Sequence, residues 1–179
     1  MESFYSEEEI KHLGLKSYGN NVRVSRKVSI YAPEMIKIGD NVRIDDFCVL
    51  SGSIVIGSNV HIAAYCALYG GEGITIGDYS GLSARCTLYS VTDDFSGNFL
   101  VGSCVNNGVR NLIRGKIEIK RYVQVGAGCV VLPGVLLNEG VAVGAMSLVN
   151  KTLPQWSICY GIPAKWQRER SKNLLNYVQ

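Results

Sequence analysis

At 179 residues the chain has the length of one domain, and an apolar share of 47% is enough to fill a narrow interior. The formal net charge of +3 is small and unclustered, which argues against nucleic acid or a membrane surface as the main partner, because both select a basic stripe. The opening Met1-Glu2-Ser3-Phe4-Tyr5-Ser6-Glu7-Glu8-Glu9 is acidic and lacks an apolar core, and no later run approaches a membrane span, so a cytoplasmic protein is expected.

In chain order, Ser6 followed by Glu9 forms a capping box. It predicts a short helix over about residues 6–13, stopped by Gly14, within an N-terminal cap of residues 1–21. Such a helix belongs over the open first turn of whatever follows, since an uncovered strand edge invites pairing with another chain.

From Ile38 an aliphatic residue returns at every sixth position: Ile44, Leu50, Ile56, Ile62 and Leu68. Two positions before these lie Val42, Cys48, Ile54, Val60 and Cys66, with turn-formers such as Ile56-Gly57-Ser58-Asn59 between. A half-buried strand repeats at period two and an amphipathic helix at about 3.6, so neither produces this pattern. A chain that bends at each hexad does, with three hexads closing one coil of a parallel β-helix. After a two-residue delay at Tyr69-Gly70-Gly71-Glu72-Gly73 the beat continues at Ile76, Leu82 and Leu88. It stops for residues 89–116, then runs through Ile119, Val125, Val131, Leu137, Val143 and Val149; upstream, Val24 and Ile30 carry the same beat. The predicted fold is therefore all-β, a β-helix over 22–153 carrying one long excursion loop, 89–116. An extension over 154–179 ends in a predicted helix at about 164–176 that covers the last coil. A loop of that length in a compact repeat is usually functional, and Phe95, Phe99 and Leu100 favour docking against something.

Cys48, Cys66, Cys86 and Cys129 take the second inward slot of their hexads, where a small apolar side chain is wanted, so they read as reduced thiols and not as a disulfide framework. No metal site is expected. Cys104 and Cys159 fall outside this logic.

Hexads of the form Ile-Gly-Asp-Asn-Val, one long loop breaking the repeat, and the closing Gly161-Ile162-Pro163-Ala164-Lys165 resemble the hexapeptide-repeat acyltransferases, in particular their sugar and xenobiotic acetyltransferase branch. The resemblance covers about residues 22–168 and implies a left-handed coil, a homotrimer with active sites in the subunit clefts, and acetyl-coenzyme A as donor. It points to a sugar hydroxyl or the amine of a nucleotide-linked amino sugar as acceptor, in surface polysaccharide or nucleotide-sugar biosynthesis. Acetylation of an antibiotic or other small molecule is the alternative within the branch, and a non-catalytic scaffold the alternative outside it. A γ-type carbonic anhydrase shares the fold but needs three zinc-binding histidines, and this chain has two.

Acyl transfer from a thioester requires a base for the acceptor's proton. His12 lies in the capping helix, away from other candidate groups. His61 immediately precedes the inward Ile62, so alternation along a strand points it outward from a flat face. One coil is eighteen residues, which places Arg43 on the coil before His61 and, after the delay, Gly81 on the coil after it. Gly81 leaves room for a slim thioester arm, while the positive charge of Arg43 favours neutral imidazole, the form a base needs. Many members of the branch carry their catalytic histidine at the start of the long loop; here the matching Ser90-Val91-Thr92-Asp93-Asp94 has an aspartate. Either His61 is the base, with Asp93 or Asp94 orienting it or holding sugar hydroxyls, or a loop carboxylate replaces it. The pantetheine arm would lie along the small residues Gly126, Ala127, Gly144 and Ala145, and the phosphates near Lys151, Lys165 and Arg168. Trp156 and Trp166 are placed either to stack on the adenine or to cap the last coil.

Overall fold

Each hexad becomes one strand and one turn in the computed structural model, which describes residues 3–178. Strands stack in parallel on three faces of a narrow column. On the first face Arg23–Val24, Arg43–Ile44, His61–Ile62, Gly81–Leu82, Gln124–Val125, Ala142–Val143 and Ser157–Gly161 pair in that order. Two longer strands, Val49–Ile56 and Ala67–Ile76, run through a corner and join the second face to the third. Their register shifts between Gly52 and Ile54, which absorbs the two-residue delay of the sequence without breaking the ladder.

The predicted beat is the core. Ile44, Leu50, Ile62, Leu68, Leu88, Val131, Leu137 and Val149 are all fully buried, and the second-slot residues Val42, Cys48, Ile54, Val60 and Cys66 lie beside them. Each fully buried aliphatic side chain contributes about 1.5–3 kcal/mol relative to exposure, so a single column suffices to hold the coils. The four predicted slot cysteines are buried and free, and each Sγ donates to a backbone carbonyl of the next coil at 3.1 Å. Cys159 is buried and Cys104 exposed.

The corners impose a cost that the sequence offsets locally. The residue before most second-slot positions takes positive φ, and at Asn41, Phe47, Asn59, Tyr65, Tyr79 and Tyr122 it is not glycine. Side chains in that conformation lose about 1–2 kcal/mol each. Stacking down the column compensates: Phe47 lies on Tyr65 with ring centroids 5.0 Å apart, Tyr79 on Tyr122 at 5.6 Å, and Asn41 donates to Asn59 at 3.1 Å.

The N-terminal helix is Glu7–Lys11, with both halves of the predicted capping box formed at Ser6 and Glu9, and Ile10 sealing the first coil. Arg26 and the Ser6 backbone hold the Glu9 carboxyl down to about 2. The ladder begins earlier than residue 22, because Ser17–Tyr18 already pairs in parallel with Ile36–Ile38. The excursion folds as an antiparallel hairpin of Val91–Asp93 with Leu112–Arg114. It hangs from the buried Ser90, whose hydroxyl donates to the Tyr69 carbonyl at 2.8 Å and accepts from the Glu72 N–H at 2.9 Å.

The predicted C-terminal helix at 164–176 is not formed. Ala164–Glu169 is a strand, antiparallel to Ser157–Gly161, followed by a 3-10 turn at Asn173–Tyr177. The reason is the unpaired edge of the last strand: a helix would leave its N–H and C=O groups bare, whereas a reversal at Gly161-Ile162-Pro163 pairs them. Arg170 fixes the return by donating to the carbonyls of Tyr122 at 2.7 Å and Gly140 at 3.0 Å. Among the described residues no helix is long and apolar enough to cross a membrane.

Candidate active site

On the first face the outward positions read, coil by coil, Arg23, Arg43, His61, Gly81, Gln124 and Ala142. The predicted neighbours of His61 are thus its actual ones. The imidazole side chain is 54% exposed and its Nε2 lies 2.8 Å from Asp45 Oδ2. Asp45 is two residues past Arg43, in the turn that ends its strand, and the Arg43 Nε donates to its other oxygen at 2.6 Å. Burial raises the Asp45 carboxyl, but hydrogen bonds from His61 and Arg43 together outweigh it and hold the group below its ordinary value. A carboxylate only accepts, so Nε2 carries the proton and Nδ1 of a neutral ring is left with its lone pair free to accept one.

This corrects the sequence reading in two respects. The carboxylate that orients His61 in this chain is Asp45, not Asp93 or Asp94, and Arg43 faces a carboxylate and not the imidazole alone. Asp93 sits in the excursion hairpin, where Arg110 donates to it at 3.0 and 2.8 Å, and Asp94 accepts from Asn111 at 2.9 Å and from the Ser96 N–H at 2.8 Å. Asp45 escaped notice because it occupies a turn position where aspartate is ordinary. The signal available was its place one coil below His61. His12 bonds the Glu8 carbonyl of its own helix at 2.8 Å.

Beside His61 a groove of about 320 Å³ opens over Gly81, lined also by Asn59, Ala63, Tyr79, Ser83 and Gln124. A Cβ on Gly81 would crowd the far end of the Gln124 side chain, at 2.7 Å, and touch the His61 carbonyl at an ordinary 3.5 Å. The small residues of the later coils are different. A Cβ on Gly126 would lie 2.5 Å from the Ala145 nitrogen, and one on Gly144 2.7 Å from the Tyr160 Cβ, so both glycines are required by coil stacking itself. Ala127 and Ala145 are exposed beside them. Lys151 follows the last coil and Lys165 and Arg168 lie on the added strand; all are exposed, with no carboxylate partner among the described residues. Trp156 is buried against Tyr122 at 6.1 Å, with the Lys172 ammonium 5.5 Å from its ring, so it caps the column, while Trp166 is exposed. No group of three or more potential ligands is placed to hold a metal ion among the described residues.

Residues 35–70 match the model of the bacterial transferase hexapeptide (six repeats). The chain is 42% identical over 176 residues to the dTDP-4-amino-4,6-dideoxy-D-glucose acyltransferase of Escherichia coli, spanning 97% of this chain and 92% of that protein. It superposes on AntD, an N-acyltransferase from Bacillus cereus, with a TM-score of 0.97 and 49% identity, covering 99% of this chain and 95% of the other. That structure holds dTDP and 3-hydroxybutyryl-CoA, and a variant with serine changed to alanine, of TM-score 0.97 and 48% identity, holds dTDP-4-amino-4,6-dideoxyglucose and coenzyme A. With likeness over almost its whole length to acyltransferases and a column built of hexads, the chain belongs to the hexapeptide-repeat acyltransferases.

Proposed function

We propose that this enzyme transfers an acyl group from an acyl-coenzyme A to the amino group of a dTDP-linked amino sugar. The observation that carries this is the full-length likeness to two enzymes whose acceptor is dTDP-4-amino-4,6-dideoxyglucose or which hold it. In the step itself the neutral amine attacks the thioester carbon; the new C–N bond forms, the C–S bond breaks, and the coenzyme A thiolate leaves. The amine proton goes to Nδ1 of His61, held by Asp45, and is then passed to the thiolate. The groove over Gly81 admits the thioester arm, the later coils through Gly126, Ala127, Gly144 and Ala145 carry the pantetheine, and Lys151, Lys165 and Arg168 hold the phosphates. Acetyl is the default acyl group, and the assembly is a homotrimer with acyl-coenzyme A in the clefts.

A second reading has a specific observation behind it. The Bacillus enzyme was crystallised with a serine and with an aspartate replaced, positions ten residues apart in that chain. In this chain Ser83 and Asp93 are a serine and an aspartate with the same spacing, and Ser83 lines the His61 groove. On that reading Asp93 is the base and Ser83 a hydrogen-bond donor to the substrate.

The test is release of coenzyme A thiol from acetyl- and 3-hydroxybutyryl-coenzyme A with dTDP-4-amino-4,6-dideoxyglucose as acceptor, for wild type, His61→Ala and Asp93→Asn. Loss of turnover in His61→Ala alone supports the first reading, and loss in Asp93→Asn with His61→Ala active supports the second. No turnover with any amino-sugar nucleotide rejects the activity. Light scattering checks the trimer.

A further inference from the structure

Below His61 on the same face lie two arginines on neighbouring strands, Arg23 and Arg43. Like charges side by side on a sheet cost stability. Here both lie over the ring of Phe4, whose centroid is 4.7 Å from the Arg23 guanidinium and 5.3 Å from that of Arg43. The acids nearby are already engaged. Asp46 accepts from Ser25 and Lys27, and Asp45 from His61 and Arg43, whereas Arg23 has no carboxylate partner among the described residues. The Arg43 Nε is spent on Asp45, and its terminal amino groups donate to nothing among the described residues. A groove of about 420 Å³ is lined by Phe4, Arg43, Asp45, Asp46, Ala64 and Tyr65, and Phe4 also lines a neighbouring groove of about 520 Å³ with Arg23. Two cations on strands at the pitch of about 4.8 Å, both packed on one aromatic ring, match a diphosphate attached to a flat base.

We propose that Arg23, Arg43 and Phe4 form the site for the nucleoside diphosphate half of the acceptor. This deepens the reading of a nucleotide-linked acceptor and rests on it. One guanidinium faces each phosphoryl group, and Phe4 stacks the base or holds the guanidinium planes in place. Arg43 and His61 are paired on adjacent strands, so a sugar leaving the second phosphate reaches the imidazole within one coil. The face is thereby divided: nucleotide on the early coils, reaction at His61, coenzyme A on the later coils.

Calorimetric binding of free dTDP, with thymidine as a second probe, tests this apart from turnover. Wild type should bind dTDP far more tightly than thymidine, with affinity falling steeply as salt rises. Arg23→Ala should weaken dTDP at least about tenfold, the change in a binding constant that 1.4 kcal/mol represents, with the KM for acyl-coenzyme A unchanged. Arg23→Lys should recover part of the loss, and Phe4→Leu should weaken binding with the charges intact. Unaltered melting by circular dichroism shows that each variant is folded. If Arg23→Ala and Arg43→Ala bind dTDP like wild type while wild type acylates the dTDP-amino sugar, the site is wrong and the activity stands. If Arg23→Ala loses dTDP but wild type acylates no amino-sugar nucleotide, the site stands and the activity is wrong. Wild type that binds no dTDP overturns the site.

Discussion

The outward placement of His61 was readable because only one of the two histidines precedes an inward aliphatic in a hexad, and alternation along a strand then settles its direction. Its carboxylate partner was not, since a turn residue shows its aim only when the coils are stacked. Under the first reading His61→Ala should lower kcat by about 10²–10⁴, the range for loss of a positioned base, while coenzyme A binding persists. Asp45→Asn should lower kcat with both KM values little changed, because it acts by holding the ring; a purely structural role would instead lower the yield of folded protein at unchanged kcat. The Asp45 carboxyl lies below its ordinary value in the folded chain. Its contribution to stability is therefore complete above the usual aspartate range and is lost as pH falls through the lower folded value. Thermal unfolding followed from neutral to acid pH should show wild type losing stability in that window and Asp45→Asn losing less.

At the scale of the strand and turn, two glycines that look alike in sequence separate. Gly126→Ala drives a Cβ into backbone of the next coil and should cost about 1–3 kcal/mol, seen as a fall in Tm of about 2–4 °C per kcal/mol for a chain of this size. Gly81→Ala crowds only the movable end of Gln124, with the His61 carbonyl at ordinary contact distance, and should melt within a few degrees of wild type. It should nonetheless lower turnover, because both added methyl and displaced amide enter the groove beside His61. The strands themselves were legible, since an inward residue every sixth position leaves no other regular solution. The closing segment was not: Ala164-Lys165-Trp166-Gln167-Arg168 carries no pattern that separates helix from strand, and only the bare edge of Ser157–Gly161 decides it.

For the whole molecule, a column in which each coil touches only its neighbours makes the end caps decisive. Arg170 joins the last hairpin to the carbonyls of Tyr122 and Gly140, so Arg170→Ala should destabilise the protein by about 1.5–3 kcal/mol, the usual worth of hydrogen bonds to a charged group. Calorimetric melting should show that loss, with hydrogen exchange quickened first in the final coils. The existence of the excursion was plain from the interrupted beat, and its hairpin was not, because Asp93 and Arg110 meet only after seventeen residues of loop. What the interruption does not disturb is the ladder. Thr87–Tyr89 pairs below with Ala67–Ile76 and above with Val130–Val131, and Ile117–Ile119 lies on Ile74–Ile76 as though the chain between had never left. With its two ends gathered at Ser90, where the Gly115 N–H returns to the Ser90 carbonyl at 2.9 Å, the insert behaves as a detachable cassette. Replacing residues 91–114 by the corresponding segment of a relative should therefore leave the coils folded, with a melting temperature close to that of wild type.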